Sequence, residues 1–322
     1  MIFCYSCDKE DKITQTTILP ALKKNHCQLP ENCFWIDITE PNDDEINWLN
    51  YFFNETPDVE DIEEIEATSR LYINEDGVHI SSLFPQKKEK EIDTLSVSFT
   101  LKKNLLVTLR NEDISLFRLM RNQIKIYNTQ KPSAYKCLLS LFNNKIDYLA
   151  DLIEEQYQFV DQISIKEFND PDFDFDHFLQ DLTRIQTNTG KIHMNLIDAQ
   201  RSLRFLMKTI QIPTQESNVI NLTELLRDID SLIPHTTFLF DKINFLIDAC
   251  MGFININQNK IIKIFSVLAV VFMPPTLIAS IYGMNFAMMP ELNWKYGYWI
   301  SIMLMFISSG ATYSLFKFKK WL

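Results

Sequence analysis

Glycine is scarce in this chain, with six in 322 residues. There is no G-x-x-x-x-G-K, so a phosphate-cradling loop is excluded, and with it an ATP-driven engine of that kind. Cysteine is nearly as sparse. Cys4 and Cys7 form a C-x-x-C, but Cys27 and Cys33 have five residues between them. A zinc ribbon would want a second close pair, so reduced structural thiols are expected. A basic surplus is missing too: the formal net charge is −11, which argues against a nucleic-acid partner. The N-terminus has no basic segment followed by an apolar stretch and a small-residue cleavage site, so the large N-terminal part is expected in the cytoplasm. No nucleophile–base pair or metal-ligand cluster stands out, so the sequence does not read as an enzyme.

Apolar runs at the C-terminal end are what the chain has in abundance. Ile264–Ile281 is eighteen residues without a charge and Tyr296–Phe316 another twenty-one. At about 1.5 Å per residue each reaches roughly the 30 Å of a hydrocarbon core. Asn285–Lys295 between them is long enough only for a tight turn back. Lys260 and Lys263 precede the first run, and Lys317, Lys319 and Lys320 follow the second. By the positive-inside rule both chain ends are cytoplasmic and the connecting loop is external.

The remainder divides by periodicity. Residues 1–130 read as an α/β domain. Phe34–Thr39 alternates as a strand and stops at Pro41, and Asp43 or Asp44 can cap a helix through Ile46, Leu49 and Phe52. Thr56-Pro57-Asp58 opens a further helix. Leu71–Ile73 and Val78–Leu83 flank the hairpin signal Asn74-Glu75-Asp76-Gly77. Leu95, Val97, Phe99 and Leu101 form the cleanest half-buried strand, with Leu105–Leu109 its neighbour.

From about Ser133 the period becomes three and four. Phe142, Ile146, Leu149, Ile153, Tyr157 and Val160 make one stripe. A second runs through Leu182, Ile185, Thr189, Ile192, Leu196, Ala199, Leu203, Leu206 and Ile210. These predict a long antiparallel helical hairpin. Its tip, Asp170 to Asp176, alternates acids but lacks the glycine and distal glutamate of a calcium loop, so a solvated cap is the simpler reading. A third helix starts near Asn221, is interrupted or kinked at Pro234, and continues into the first span. The cytosolic helices thus occupy 131–258, span one 259–285, the external loop 286–295, span two 296–316 and a basic tail 317–322.

Within the first span Asn259, Ile262, Ser266, Ala269, Met273, Thr276 and Ser280 recur at three and four and share a face. Helix packing in lipid also favours small and hydroxyl residues, so periodicity alone leaves two readings open. The face carries no Asp, Glu or His, unlike carriers that chelate ions or couple to protons. Neutral amides, hydroxyls and carbonyls suit a cation that keeps its water, as magnesium does. One helix cannot enclose such an ion, so several copies must surround an axis.

Three segments resemble the CorA family of divalent-cation channels: Asn259–Lys263 leading into Phe272-Met273-Pro274-Pro275-Thr276, the apex Tyr282-Gly283-Met284-Asn285, and Met289-Pro290-Glu291-Leu292. The resemblance implies an α+β cytosolic domain with long-helix hairpin and stalk helix, two C-terminal transmembrane helices, and a funnel-shaped homopentamer in the bacterial inner membrane. It implies passive uptake of hydrated Mg2+, and of Co2+ and Ni2+, with cytosolic Mg2+ closing the pore and no organic cofactor.

By the same resemblance Gly283, Met284 and Asn285 form the ion entrance, and Ile262 and Phe265 an apolar constriction. Glu291 concentrates cations outside, and Asp228 and Asp230 belong to a regulatory metal site. The segment Gln86–Glu91, where that site's partner would lie, is unexpectedly basic. Two other readings remain: a zinc transporter with the same topology, and a membrane-anchored cytosolic sensor that conducts nothing.

Overall fold

The computed structural model describes residues 1–7, 13–18, 29, 32–52, 70–75, 77–126, 133–167, 174–209, 216–285, 289 and 294–319. The helix expected from Thr56, the acidic residues Asp170 and Asp172, Cys27 and Glu291 lie outside the described residues. The described chain forms two compact units, Met1–Phe245 and Leu246–Leu322.

The first unit is built on seven strands: β1 Ile2–Cys7, β2 Ile13–Ile18, β3 Cys33–Thr39, β4 Leu71–Asn74, β5 Gly77–Lys88, β6 Glu91–Lys102 and β7 Leu105–Arg110. They form one sheet in the order β2-β1-β3-β7-β6-β5-β4, antiparallel except for the β3–β7 pair. Gly77 is required where it stands. Its φ is +135°, and a Cβ there would sit 2.2 Å from the Leu101 carbonyl oxygen. Its N–H is held by the Asn74 side chain at 3.2 Å, as the hairpin signal implied.

Helix α1, Asp43–Phe52, begins as expected but is capped differently. Asn42 Oδ1 accepts the Glu45 N–H at 2.8 Å, while Glu45 Oε2 accepts the Asn42 N–H at 3.1 Å. This reciprocal capping box displaces Asp43 and Asp44 to the first turn, where their charge still opposes the positive end of the helix dipole. Strand β6 also departs from expectation. Its alternation is real, yet Ser98 and Thr100 are buried along with Val97 and Phe99. As an interior strand its second face is covered too, and Thr100 Oγ1 lies 3.0 Å from His79 Nδ1. Cys4 and Cys33 stand side by side, because the β1–β3 pairing brings residues 29 positions apart into one cluster.

One face of β5 and β6 receives the helices α2 Ser115–Ile126, α3 Ala134–Glu167 and α4 Phe175–Thr209. Phe84 and Phe99 meet Phe117 of α2 and Phe142 of α3, with ring centroids 5.5 to 6.4 Å apart. The apolar stripes predicted for α3 and α4 are the ones buried, except that Tyr157 is half-buried and Ile210 is not described.

A second, polar stripe on α4 fixes its docking. Asn188 accepts the Ile92 N–H at 3.1 Å and donates to the Lys90 carbonyl at 2.9 Å. Asn195 donates to Thr94 Oγ1 at 3.1 Å. Asp198 accepts from Ser82 Oγ at 2.5 Å, the Leu83 N–H at 2.8 Å and Lys145 Nζ at 3.3 Å. Lys145 is fully buried and lies 4.8 Å from the Phe84 ring centroid. Burial pushes its pKa down, and the Asp198 carboxylate works against that shift.

The α5 helix spans Glu216–Tyr282 without ending at Pro234. The Thr236 and Thr237 hydroxyls donate to the Ile233 carbonyl at 2.7 and 3.3 Å, and Thr236 is buried beside His193 Nδ1 at 2.7 Å. The helix thus runs on through Pro234 where an interruption or a kink was expected.

Replacing Asp198 by Ala would leave Lys145 buried without its anion and orphan the Ser82 and Leu83 donors. We expect a loss of about 3–5 kcal/mol, measured as denaturant unfolding of the full-length protein in detergent. The apolar pair Lys145→Met with Asp198→Leu should recover most of that loss.

Candidate functional site

The unit Leu246–Leu322 contains the C-terminal part of α5 and a last helix, α6 Gly297–Phe318. These are the two described helices long and apolar enough to cross a membrane.

The first span has two distinct sides. Val267 is buried, and Val270, Val271, Pro274, Pro275, Ile278 and Tyr282 are half-buried. All of them fall within one sector. Ser266, Ala269, Met273, Thr276 and Ser280 are exposed, with Asn259 and Ile262 continuing the row. Taking about 100° of turn per residue, the exposed row centres within roughly 20° of Ile262 and the covered sector about 155° away. The covered side consists of valine, proline, isoleucine and tyrosine. Leu268, Phe272 and Leu277 stay exposed as well. Phe265, two-thirds exposed, flanks the row. The predicted residues thus share one uncovered face, and that face has no ionisable group between Asn259 and Asn285.

The helix continues through Pro274 and Pro275, each of which lacks an N–H to donate. Just beyond them, Thr276 Oγ1 donates back to the Phe272 carbonyl at 2.7 Å. The apex follows directly. The Gly283 N–H closes on the Ala279 carbonyl at 2.9 Å and the Met284 N–H on Ile281 at 3.2 Å. A Cβ on Gly283 would approach the Ala279 oxygen to 3.2 Å, so the glycine lets the chain leave the last turn closely. The C-terminal end of a helix carries about half a negative charge. Met284 and Asn285 are therefore presented, exposed, at a terminus whose dipole and free carbonyls favour cations without any carboxylate.

Comparison with known proteins bears directly on this arrangement. The family model for CorA-like Mg2+ transporter protein matches residues 31–320. The chain belongs to the CorA family. It is 42% identical over 311 residues to the magnesium transport protein CorA of Escherichia coli K12, covering 94% of this chain and 96% of that one. It is also 42% identical to the Sodalis glossinidius protein of the same name, over 89% of this chain and 92% of the other. The fold superposes on the complete structure of the CorA magnesium transporter from Methanocaldococcus jannaschii with a TM-score of 0.78. That match has 19% identity and covers 100% and 99% of the two chains.

Asp228 and Asp230, on α5, are both exposed. Asp230 accepts from Gln200 at 2.5 Å and lies 3.9 Å from Arg204. Asp228 lies near one other acid, Asp147. The Asp147 carboxyl on α3 is pushed above its usual range by burial, by Asp151 and by Asp228. The sequence reading missed Asp147 and Asp151: their spacing of four was visible, but nothing in it places them near Asp228. The basic segment expected opposite is engaged elsewhere, Lys87 with Glu155, and Lys88 with Asp93 and Glu112. Among the described residues of one chain, no group of three or more His, Cys, Asp or Glu side chains could hold a metal.

Because Asp147 has a raised pKa, the folded state binds its proton more tightly than the unfolded chain does. The repulsion therefore costs stability above the raised value and is relieved as pH falls toward the ordinary carboxylate range. Asp147→Asn should raise the melting temperature at pH 7, with the gain shrinking toward pH 4. Circular dichroism across that range checks it.

Proposed function

We propose that this CorA family member mediates passive, potential-driven uptake of hydrated Mg2+, and of Co2+ and Ni2+, through a homopentameric pore lined by its first span. The observation that carries this is the uncovered neutral row from Asn259 to Ser280, ending at Gly283-Met284-Asn285 on a helix terminus. Its relatives' name, magnesium transport protein, agrees with it. A single copy of the row encloses nothing, and a ring of five closes a wall of amides, hydroxyls and carbonyls around a hydrated ion. The Asn285 ring with the Gly283 carbonyls would hold the ion through its waters, since magnesium surrenders them reluctantly. Met273 and Thr276 would line the outer pore, and Ile262 and Phe265 would narrow it. Glu291 would raise cation concentration at the outer mouth.

With spans at 259–285 and 296–316, a loop at 286–295 outside and a basic tail at 317–322 inside, both termini would lie in the cytoplasm of an inner-membrane protein. Each divalent ion entering gains about 4.6 kcal/mol per 100 mV of inside-negative potential, twice the single-charge value. No further energy source is needed.

Regulation by cytosolic Mg2+ at Asp228 and Asp230 is the remaining part of the proposal. The Asp147 carboxyl, pushed up by burial and by Asp151 and Asp228, supports it, since a divalent ion would relieve that repulsion. Asp230 is partly neutralised by Arg204, so Asp228 would contribute more. Among the described residues too few ligands gather in one chain, so a neighbouring subunit would supply the others.

The test is magnesium influx into liposomes at fixed inside-negative potential. Wild type should conduct, and Asn285→Ala should lose flux or selectivity while remaining oligomeric. If neither conducts at any internal magnesium level, the anchored-sensor reading replaces this one. If both conduct alike, the channel stands and the apex assignment fails.

A further inference from the structure

The exposed row does not stop at Asn259. Counting back along the same unbroken helix, Asn255 lies about 20° and Gln258 about 40° from the direction of Ile262, on either side of it, with Asn259 about 60° away. All three are exposed. They stand roughly 5–10 Å below Ile262 along the helix axis. The local composition is unusual: four of five residues from Asn255 to Asn259 are amides, with no charge between Asp248 and Lys260.

The cations that follow avoid the row. Lys260 and Lys263 point about 160° and 100° away from Ile262, toward the sector where Val267 and Val271 are covered. Positive charge is thus kept off the face that carries the amides.

We infer that Asn255, Gln258 and Asn259 form a second outer-sphere site for a hydrated divalent cation, a collar below the apolar constriction. This rests on the pore reading above and extends it to two residues that reading does not use. An ion passing Ile262 and Phe265 meets walls with no group to hydrogen-bond its water. Below them, amide oxygens from each copy accept hydrogen bonds from the shell, steadying the ion without stripping it. Neutral acceptors suit this position, because carboxylates would hold a divalent ion strongly and slow its release.

Asn257 supplies an internal control. It has the same side chain in the same turn, is equally exposed, and points about 140° away from Ile262. The experiment is magnesium influx into liposomes containing the full chain, with each variant first checked for its oligomeric state. Asn255→Leu with Gln258→Leu should lower influx by about fivefold or more, the scale set by losing a hydrogen bond per subunit, and Asn257→Leu should leave it near wild type. If the leucine pair does not assemble, Asn255→Asp with Gln258→Glu takes its place. Added charge there should lower both the magnesium concentration for half-maximal influx and the maximal rate.

Asn257→Leu reducing influx as much as the pair overturns the collar, as does an acidic pair indistinguishable from wild type. A leucine pair equal to wild type, beside an Asn285→Ala that loses flux, overturns the collar alone and leaves the pore standing. A silent wild type overturns the pore reading and the collar with it.

Discussion

A carboxylate removed from water must be answered by donors, and the N-terminal unit is arranged around that requirement at Asp198. Its oxygens take hydrogen bonds from a strand hydroxyl, a strand backbone N–H and a fully buried lysine on a different helix. Three elements distant in sequence are thereby fixed to one another in register and angle. Apolar contacts among Phe84, Phe99, Phe117 and Phe142 supply most of the buried area beside it, but aromatic packing alone tolerates sliding. A second buried cluster does the same beside the Phe117 ring. Asp37 is engaged by Thr108, by Arg110 in a two-pronged pair, and by Arg121, with the Arg110 guanidinium 4.1 Å above the Phe117 ring. Buried ion pairs add little net stability against apolar substitutes, yet they penalise every misregistered arrangement heavily.

The C-terminal unit follows the opposite rule. Where the first unit buries charge and answers it, the spans keep charge out from Ile264 to Ile281. Their hydroxyls bond to their own helix: Thr276 to Phe272, Ser301 to Tyr298, Ser308 to Met305 and Thr312 to Ser308. In hydrocarbon this satisfies the hydroxyl proton locally while an oxygen lone pair stays available. A helix surface made in this way is polar without being titratable.

Much of this was legible in sequence because it is periodic. The two long stripes, the apolar spans and the alternation of β6 each repeat a spacing dictated by one regular structure, and burial follows it in α3 and α4 though not in β6. The exposed row of the first span was legible for the same reason. What escaped depends on partners far along the chain. Nothing near Asn188, Asn195 or Asp198 reveals that their turn of the helix meets a strand, since a polar residue on a helix normally faces water. The closeness of Cys4 to Cys33 depends on strand order, which local sequence does not specify. Asn42 displaced two aspartates as the cap because Glu45 stands three residues after it, a reciprocal match that Asp43 and Asp44 lack. Pro234 was read as an interruption or a kink because its missing donor is local, yet the helix runs on through it.

Pro274 and Pro275 deserve to be followed mechanically. Together they withhold two rungs of the backbone ladder, and the Thr276 hydroxyl competes for the Phe272 carbonyl just beyond them. No other stretch of this span has so little axial stiffness. A bend or torque travelling along α5 would therefore be absorbed there, like load at a universal joint. The last two turns, with the apex they carry, would keep their shape while the helix below them moved. One helix can in this way hold one end fixed while the other moves.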